Sequence, residues 1–274
     1  MRCPKLLRVA PIPFAAVALA VLTTSVAGAT LAPNRSVATT ARAHRSVPAR
    51  QPPTLPRLVA SPRGVAQLLN VHVEYQPVVA DAAHHRRLAA PCVPEGPGGP
   101  DYALEGWKVA GPVTLHLNPA TVPGGLSAAS ALQAAAGAWA GVGAPSLSVA
   151  SDGTATSPSA DGTDEVMFGH LGASTLSITY TWRWGSGGIE SDVVFNANAP
   201  WFNAPGEGNG CIAGARGFDV QDVATHEFGH LLGLGHATAA VDRFNTMYPS
   251  AYLGETCKRS PKQGDAAGIH AIYG

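Results

Sequence analysis

The chain has 274 residues, with 18 Lys/Arg balanced by 18 Asp/Glu, a length that suits one domain or a smaller domain with extensions. The neutral total conceals a division: residues 1–90 carry 11 Lys/Arg and 2 Asp/Glu, and residues 91–274 carry 7 and 16. A basic arm without a basic folded domain argues against nucleic acid as a partner.

Residues 1–29 open with Arg2, Lys5 and Arg8, continue through an apolar run from Phe14 to Leu22, and end on Ala27-Gly28-Ala29. A positive start, a short apolar core and a small-residue end predict a secretory signal peptide cut before Thr30. The run is too short to span a bilayer, so no membrane anchor is expected.

Residues 30–100 are basic and proline-rich with few aromatics, a composition that resists a packed core and predicts a largely disordered segment. Opposite charge on the remainder of the chain fits an intramolecular prosegment, and a solvated linker fits the same composition. His84-His85-Arg86-Arg87 reads as a nick site or as an ordinary solvated run.

Residues 101–274 supply the folded domain. VTLHLN (113–118) alternates like a half-buried strand, and LSAASALQAAAGAWAGV is an alanine-rich helix with an apolar face that includes Leu132 and Trp139. EVMFG, TLSITYTW and SDVVFN are three further strands separated by glycine-rich turns. Strands followed by helices predict an α+β domain.

HEFGHLLGLGH (226–236) carries the chemistry. His226 and His230, four apart, share one face of a helix. His236 lies six further on and would point away unless the helix ended, and Gly233 stands where the chain can reverse. Three imidazoles leave one position of a tetrahedral Zn2+ open for water, and Glu227 sits beside the metal as the general base and acid. Histidines that merely face core or solvent would leave both the glutamate and the glycine unexplained.

The motif resembles the zinc signature of the metzincin metallopeptidases, HExxHxxGxxH followed by a methionine turn. NTMYP, with Met247, is similar to the matrixin branch, the matrix metalloproteinases and their bacterial relatives, and QGDAAGIHAIYG is similar to the last helix of their catalytic domains. The resemblance implies a twisted mixed sheet above a zinc cleft and a small C-terminal subdomain. It implies Met247 as an apolar floor beneath one catalytic zinc, with His226, His230 and His236 as ligands and Glu227 as the catalytic residue. It also implies TLSITYTW as the cleft-edge strand, open to an extended peptide, and Pro249 to Tyr252 as the wall of the pocket past the scissile bond. The second, structural zinc of matrixins is not expected, because the matching strands lack its histidines. Asp192, Asn196 and Asn198 offer oxygen to Ca2+, and turn capping accounts for them equally. His170 alone cannot make that second zinc site, and His116 and His270 read as ordinary structural histidines.

Cys3 leaves with the signal peptide, so Cys92, Cys211 and Cys257 remain. A bridge between Cys211 and Cys257 would tie the two flanks of the site, although connectivity is not fixed by sequence. APCVPEG around Cys92 faintly resembles the matrixin cysteine switch, in which a thiolate blocks the zinc. The rival is a disulfide from Cys92 into the catalytic domain.

The expected protein is a monomeric, secreted zinc endopeptidase made as a zymogen and acting on protein or peptide substrates. A secreted non-catalytic zinc-binding module on the same fold is the alternative.

Overall fold

The computed structural model describes residues 57–58, 64–76 and 92–274. The expected signal peptide and the His84–Arg87 cluster lie outside the described residues.

One mixed sheet of six strands organises the domain: β1 (Ala66–Tyr75), β2 (Val113–Leu117), β3 (Leu147–Ala150), β4 (Asp164–Gly169), β5 (Thr175–Trp184) and β6 (Ile189–Asn196). Their spatial order is β1-β5-β6-β4-β2-β3. β3, β2, β4 and β6 run parallel, whereas β5 is antiparallel to β6 and β1 is antiparallel to β5. The helices are α1 (Ala128–Ala138), α2 (Val220–Leu231) and α3 (Gln263–Tyr273). Sheet and helices together give the α+β class read from the sequence.

Strand periodicity sorts side chains to two faces. Leu115, Phe168, Val193 and Phe195 pack with Leu132 and Trp139 of the α1 region and with Val223 and Phe228 of α2. On the opposite face Ile178, Tyr180, Trp182 and Trp184 of β5 form a second cluster. The intervening residues Ser177, Thr179 and Thr181 are fully buried and share the other face of β5. α2 starts where Asp219 caps it, its carboxylate accepting from the Asp222 amide at 3.1 Å. Trp139 Nε1 donates to Thr225 O at 3.0 Å and locks α1 against α2.

β1 corrects two expectations. Residues 30–100 were expected to be largely disordered, yet residues 66–75 form a ten-residue strand. The local alternation VHVEY suits a pleated edge, and the prolines that dominate the segment's composition lie outside it. The second correction concerns β5, whose edge was expected to be open. β1 covers it from Ala66↔Trp184 to Tyr75↔Thr175, with an irregularity between Leu68 and Asn70. That irregularity lets Leu68, Val71 and Val73 all pack on the second cluster.

The cysteine pairing also differs. Cys92 bonds Cys211, and Cys257 is free and buried. The Cys92 amide donates to Leu253 O at 3.2 Å and the Glu95 amide to Asn209 O at 2.7 Å, which lays residues 92–95 along the segment carrying Cys211. Cys257 instead points its Sγ at Glu255 Oε1, 3.2 Å away. A bridged Cys92 has no thiolate to place on a metal, so the cysteine-switch reading is withdrawn. Among the described residues no helix is long and apolar enough to cross a membrane.

Candidate metal centre and peptide cleft

His226 and His230 project from one face of α2. Gly233 follows with φ 96°, a left-handed backbone that glycine adopts without strain. Its amide donates to His230 O at 2.9 Å, and the reversed chain pairs Leu234–Gly235 antiparallel with Ala103–Leu104. The reversal returns His236 to the helix. The Nε2 atoms of His226, His230 and His236 then stand 3.1, 3.1 and 3.2 Å apart.

Four-coordinate zinc with ~2.0–2.1 Å bonds would set such nitrogens roughly 3.3–3.4 Å apart, so the triangle is the right size for that ion. His226 Nδ1 lies 2.7 Å from Thr246 O and His230 Nδ1 lies 2.8 Å from Leu234 O. Each Nδ1 therefore carries the proton and turns an Nε2 lone pair inward. Burial holds His226 and His230 well below the ordinary histidine range and lowers His236 to about 3. Three neutral lone pairs facing one another repel unless a cation lies between them, and that is the fit of this donor set to zinc.

Glu227 is fully buried beside the triangle. Its two oxygens accept from the hydroxyls of Ser177 and Thr179 on β5. Burial, then the charge of Glu74, pushes its carboxyl up to about 8. Met247 is 2% exposed, and a Cβ built on Gly229 would overlap its Sδ, so the methionine lies directly against α2. Asp265 of α3 accepts from the Thr246 and Met247 amides at 2.8 and 3.1 Å and fixes that turn.

Sequence reasoning missed five residues here. Ser177 and Thr179 were signalled by the polar positions of TLSITYTW, which share one face. His72 and Glu74 arrive from β1, and Lys258 from beyond the methionine turn. The His72 ring stacks on His230 with centroids 3.7 Å apart and planes within 6°. Its Nε2 lies 3.2 Å from Glu105 Oε1, off the axis of a hydrogen bond. Glu74 and Lys258 form an ion pair of 2.8 Å in which both side chains are wholly buried. The Glu74 carboxylate comes within 4.8 Å of a His226 nitrogen and of the Glu227 carboxylate. Burial raises Glu74 from its ordinary value, opposed by the Lys258 ammonium.

Other candidates stay apart from the centre. His116 Nδ1 pairs with Asp152 at 2.7 Å, His170 Nδ1 lies 3.2 Å from Asn198 Oδ1, and His270 is exposed. Asp192 spends its oxygens on the Ser159 and Glu165 amides, and Asn196 Oδ1 accepts from the Asn198 amide.

Residues 164–274 match the matrixin family. This segment is a matrixin-like metzincin domain. The chain is 39% identical over 87 residues to human neutrophil collagenase, covering 32% of this chain and 16% of that protein. It is 32% identical over 124 residues to rat stromelysin-3, covering 38% and 22%. It is 47% identical over 57 residues to metalloendoproteinase 1 of Glycine max, covering 21% and 17%. The chain thus spans between 16% and 22% of the length of these relatives. The matrixin-like match contains β4, β5, β6, α2, the methionine turn and α3; β1 lies upstream of it.

Proposed function

We propose that this chain is a secreted zinc-dependent endopeptidase made as a zymogen, with His226, His230 and His236 as zinc ligands and Glu227 as the catalytic residue. The observation that carries the reading is the Nε2 triangle, 3.1–3.2 Å on each side, with Glu227 next to it. The matrixin match and the similarity to matrix metalloproteinases support the same chemistry.

Zinc, when bound, polarises the peptide carbonyl and makes water acidic enough to attack near neutral pH. Glu227 takes the proton that this water loses and delivers it to the departing amine nitrogen, so the carboxylate is regenerated each turn. Ser177 and Thr179 hold both of its oxygens and fix its direction. Met247 and Asp265 keep the turn beneath α2 rigid, and through Thr246 O they also orient His226. One zinc ion suffices, and calcium is not part of the reading.

Secretion is supported by the leader-like residues 1–29 and by the Cys92–Cys211 disulfide, a bond that persists in oxidising compartments. Latency is supported by β1, which occupies the β5 edge that an extended substrate would otherwise pair with. Protein and peptide substrates follow from that edge.

The test is Glu227→Gln in processed protein. Zinc content should stay at one per chain while cleavage of a generic protein substrate falls by about 10³-fold, within the range for loss of a general acid–base. Unchanged cleavage by the variant would refute the assigned mechanism.

A further inference from the structure

We infer that the pocket beside Glu227 recognises an acidic side chain, with Lys258 as the recognising group, and that the peptides cleaved here carry a carboxylate within two residues on the C-terminal side of the cut bond. The inference rests on the endopeptidase reading of the same cleft and names its substrate class.

β1 shows how an extended peptide lies in this cleft. It runs antiparallel along β5, with Ile178 opposite Val73 and Ser177 opposite Glu74. Asn70, His72 and Glu74 share the face turned to the metal centre. His72 reaches the nitrogens of His230 and His236, whereas Glu74 reaches His226 and Glu227. The backbone between residues 72 and 74 therefore crosses the metal triangle, and Glu74 sits on the C-terminal side of the crossing.

The pocket that receives Glu74 is polar where a pocket for an apolar side chain would be dry. Lys258 Nζ donates to Glu74 Oε1 at 2.8 Å and to Tyr248 O at 2.6 Å. Ser177 Oγ lies 3.4 Å from Glu74 Oε2. Tyr75, next in β1, bridges to Ser250 in the segment after Met247, so the pocket is closed on that side. Lys258 itself is fixed from behind: its amide donates to Asp222 Oδ1 at 2.7 Å. An ammonium held this way at the bottom of a fully buried pocket loses its hydrogen-bonded carboxylate when β1 departs, keeping Tyr248 O and the charges of Glu255 and Asp222. A carboxylate restores the hydrogen-bonded ion pair, and an amide or alkyl side chain does not.

The test uses the full chain carrying a site-specific protease sequence in place of residues 84–87 and the substitution Glu227→Gln. Cutting there leaves β1 held by non-covalent contacts alone, because the Cys92–Cys211 bond lies on the other side of the cut. Fluorescent peptides spanning residues 66–75, either AQLLNVHVEY or its Glu74→Gln version, then compete for the cleft. The native peptide should bind ~100-fold more tightly, within the range expected for removing one partner of a buried, hydrogen-bonded charge pair. In Lys258→Met the two peptides should bind within about 3-fold of each other. The peptide pair on the Lys258 protein decides the matter even where Lys258→Met fails to fold. Equal binding of the two peptides by the Lys258 protein overturns the inference. In the Glu227 parent, a peptide library should be cut with Glu or Asp enriched within two residues past the bond. Cleavage without that enrichment also overturns the inference while leaving the endopeptidase reading intact. Absence of any cleavage with zinc bound refutes the endopeptidase reading instead, and the binding arm still reports on the pocket.

Discussion

The Cα of Gly233 faces the carbonyl oxygen of Trp107 so closely that a methyl group placed there would overlap it. With φ at 96°, this residue is constrained both by backbone hand and by lack of space. Gly233→Ala should therefore destabilise the domain by about 1–3 kcal/mol and weaken zinc binding at least ~10-fold, because His236 depends on the reversal. Gly106→Ala is the control, since Gly106 has φ 82° but open space around it; it should lower the melting temperature without affecting zinc. Thermal melts and competitive zinc titration of both variants check the pair. Equal loss of zinc affinity in the two would separate the reversal from the metal.

His236→Ala should reduce bound zinc well below one per chain, whereas His116→Ala should leave it unchanged. The first removes one corner of a triangle 3.1–3.2 Å on a side; the second removes a ring that pairs with Asp152 instead. Metal analysis after dialysis against a weak chelator reads the difference. Full zinc retention by His236→Ala would exclude that residue as a ligand.

Non-reducing digestion should yield one linked peptide pair joining Cys92 to Cys211, which are 119 residues apart. Cys257 should react with a thiol reagent only after denaturation, because it is wholly buried and burial, then the charge of Glu255, pushes its thiol up. Cys92→Ser together with Cys211→Ser should cost about 2–4 kcal/mol, measured by urea unfolding. A Cys211–Cys257 peptide would reverse the assignment.

Glu165 should make stability fall as pH rises. Burial, followed by the charges of Asp161 and Glu190 and opposed by His116, pushes its carboxyl up to about 7 from an ordinary 4.5. Below 4.5 both folded and unfolded states are protonated and the contribution is complete. Between 4.5 and about 7 the unfolded chain releases the proton while the folded chain retains it, so the contribution is lost across that window. Glu165→Gln should abolish this loss, gaining on the parent by on the order of 1–2 kcal/mol between pH 4.5 and pH 8, solvent screening of the carboxyl taking up the rest of the shift. Urea midpoints of the two proteins at several pH values give the difference directly, and a gap independent of pH would contradict it.

The candidate metal site was legible because its determinants are local. A four-residue spacing sets two imidazoles on one helix face, and one glycine ends the helix in time for the third. The strand segments VTLHLN, EVMFG, TLSITYTW and SDVVFN followed from periodicity for the same reason. What the chain's composition obscured was β1. Ten strand-forming residues lie within a basic, proline-rich stretch, and their partner strand begins about a hundred positions away.

Sequence alone supplied the three-histidine cluster, the glutamate beside it and the α+β class, since each rests on patterns among residues close together in the chain. Tertiary structure alone decided the partners. Ser177 and Thr179 meet Glu227 across about fifty residues, Cys92 meets Cys211 across 119, and Glu74 meets Lys258 across 184. Such pairings depend on which edge is left uncovered and which charge must be neutralised once water is excluded, and neither exists until the sheet has closed over α2.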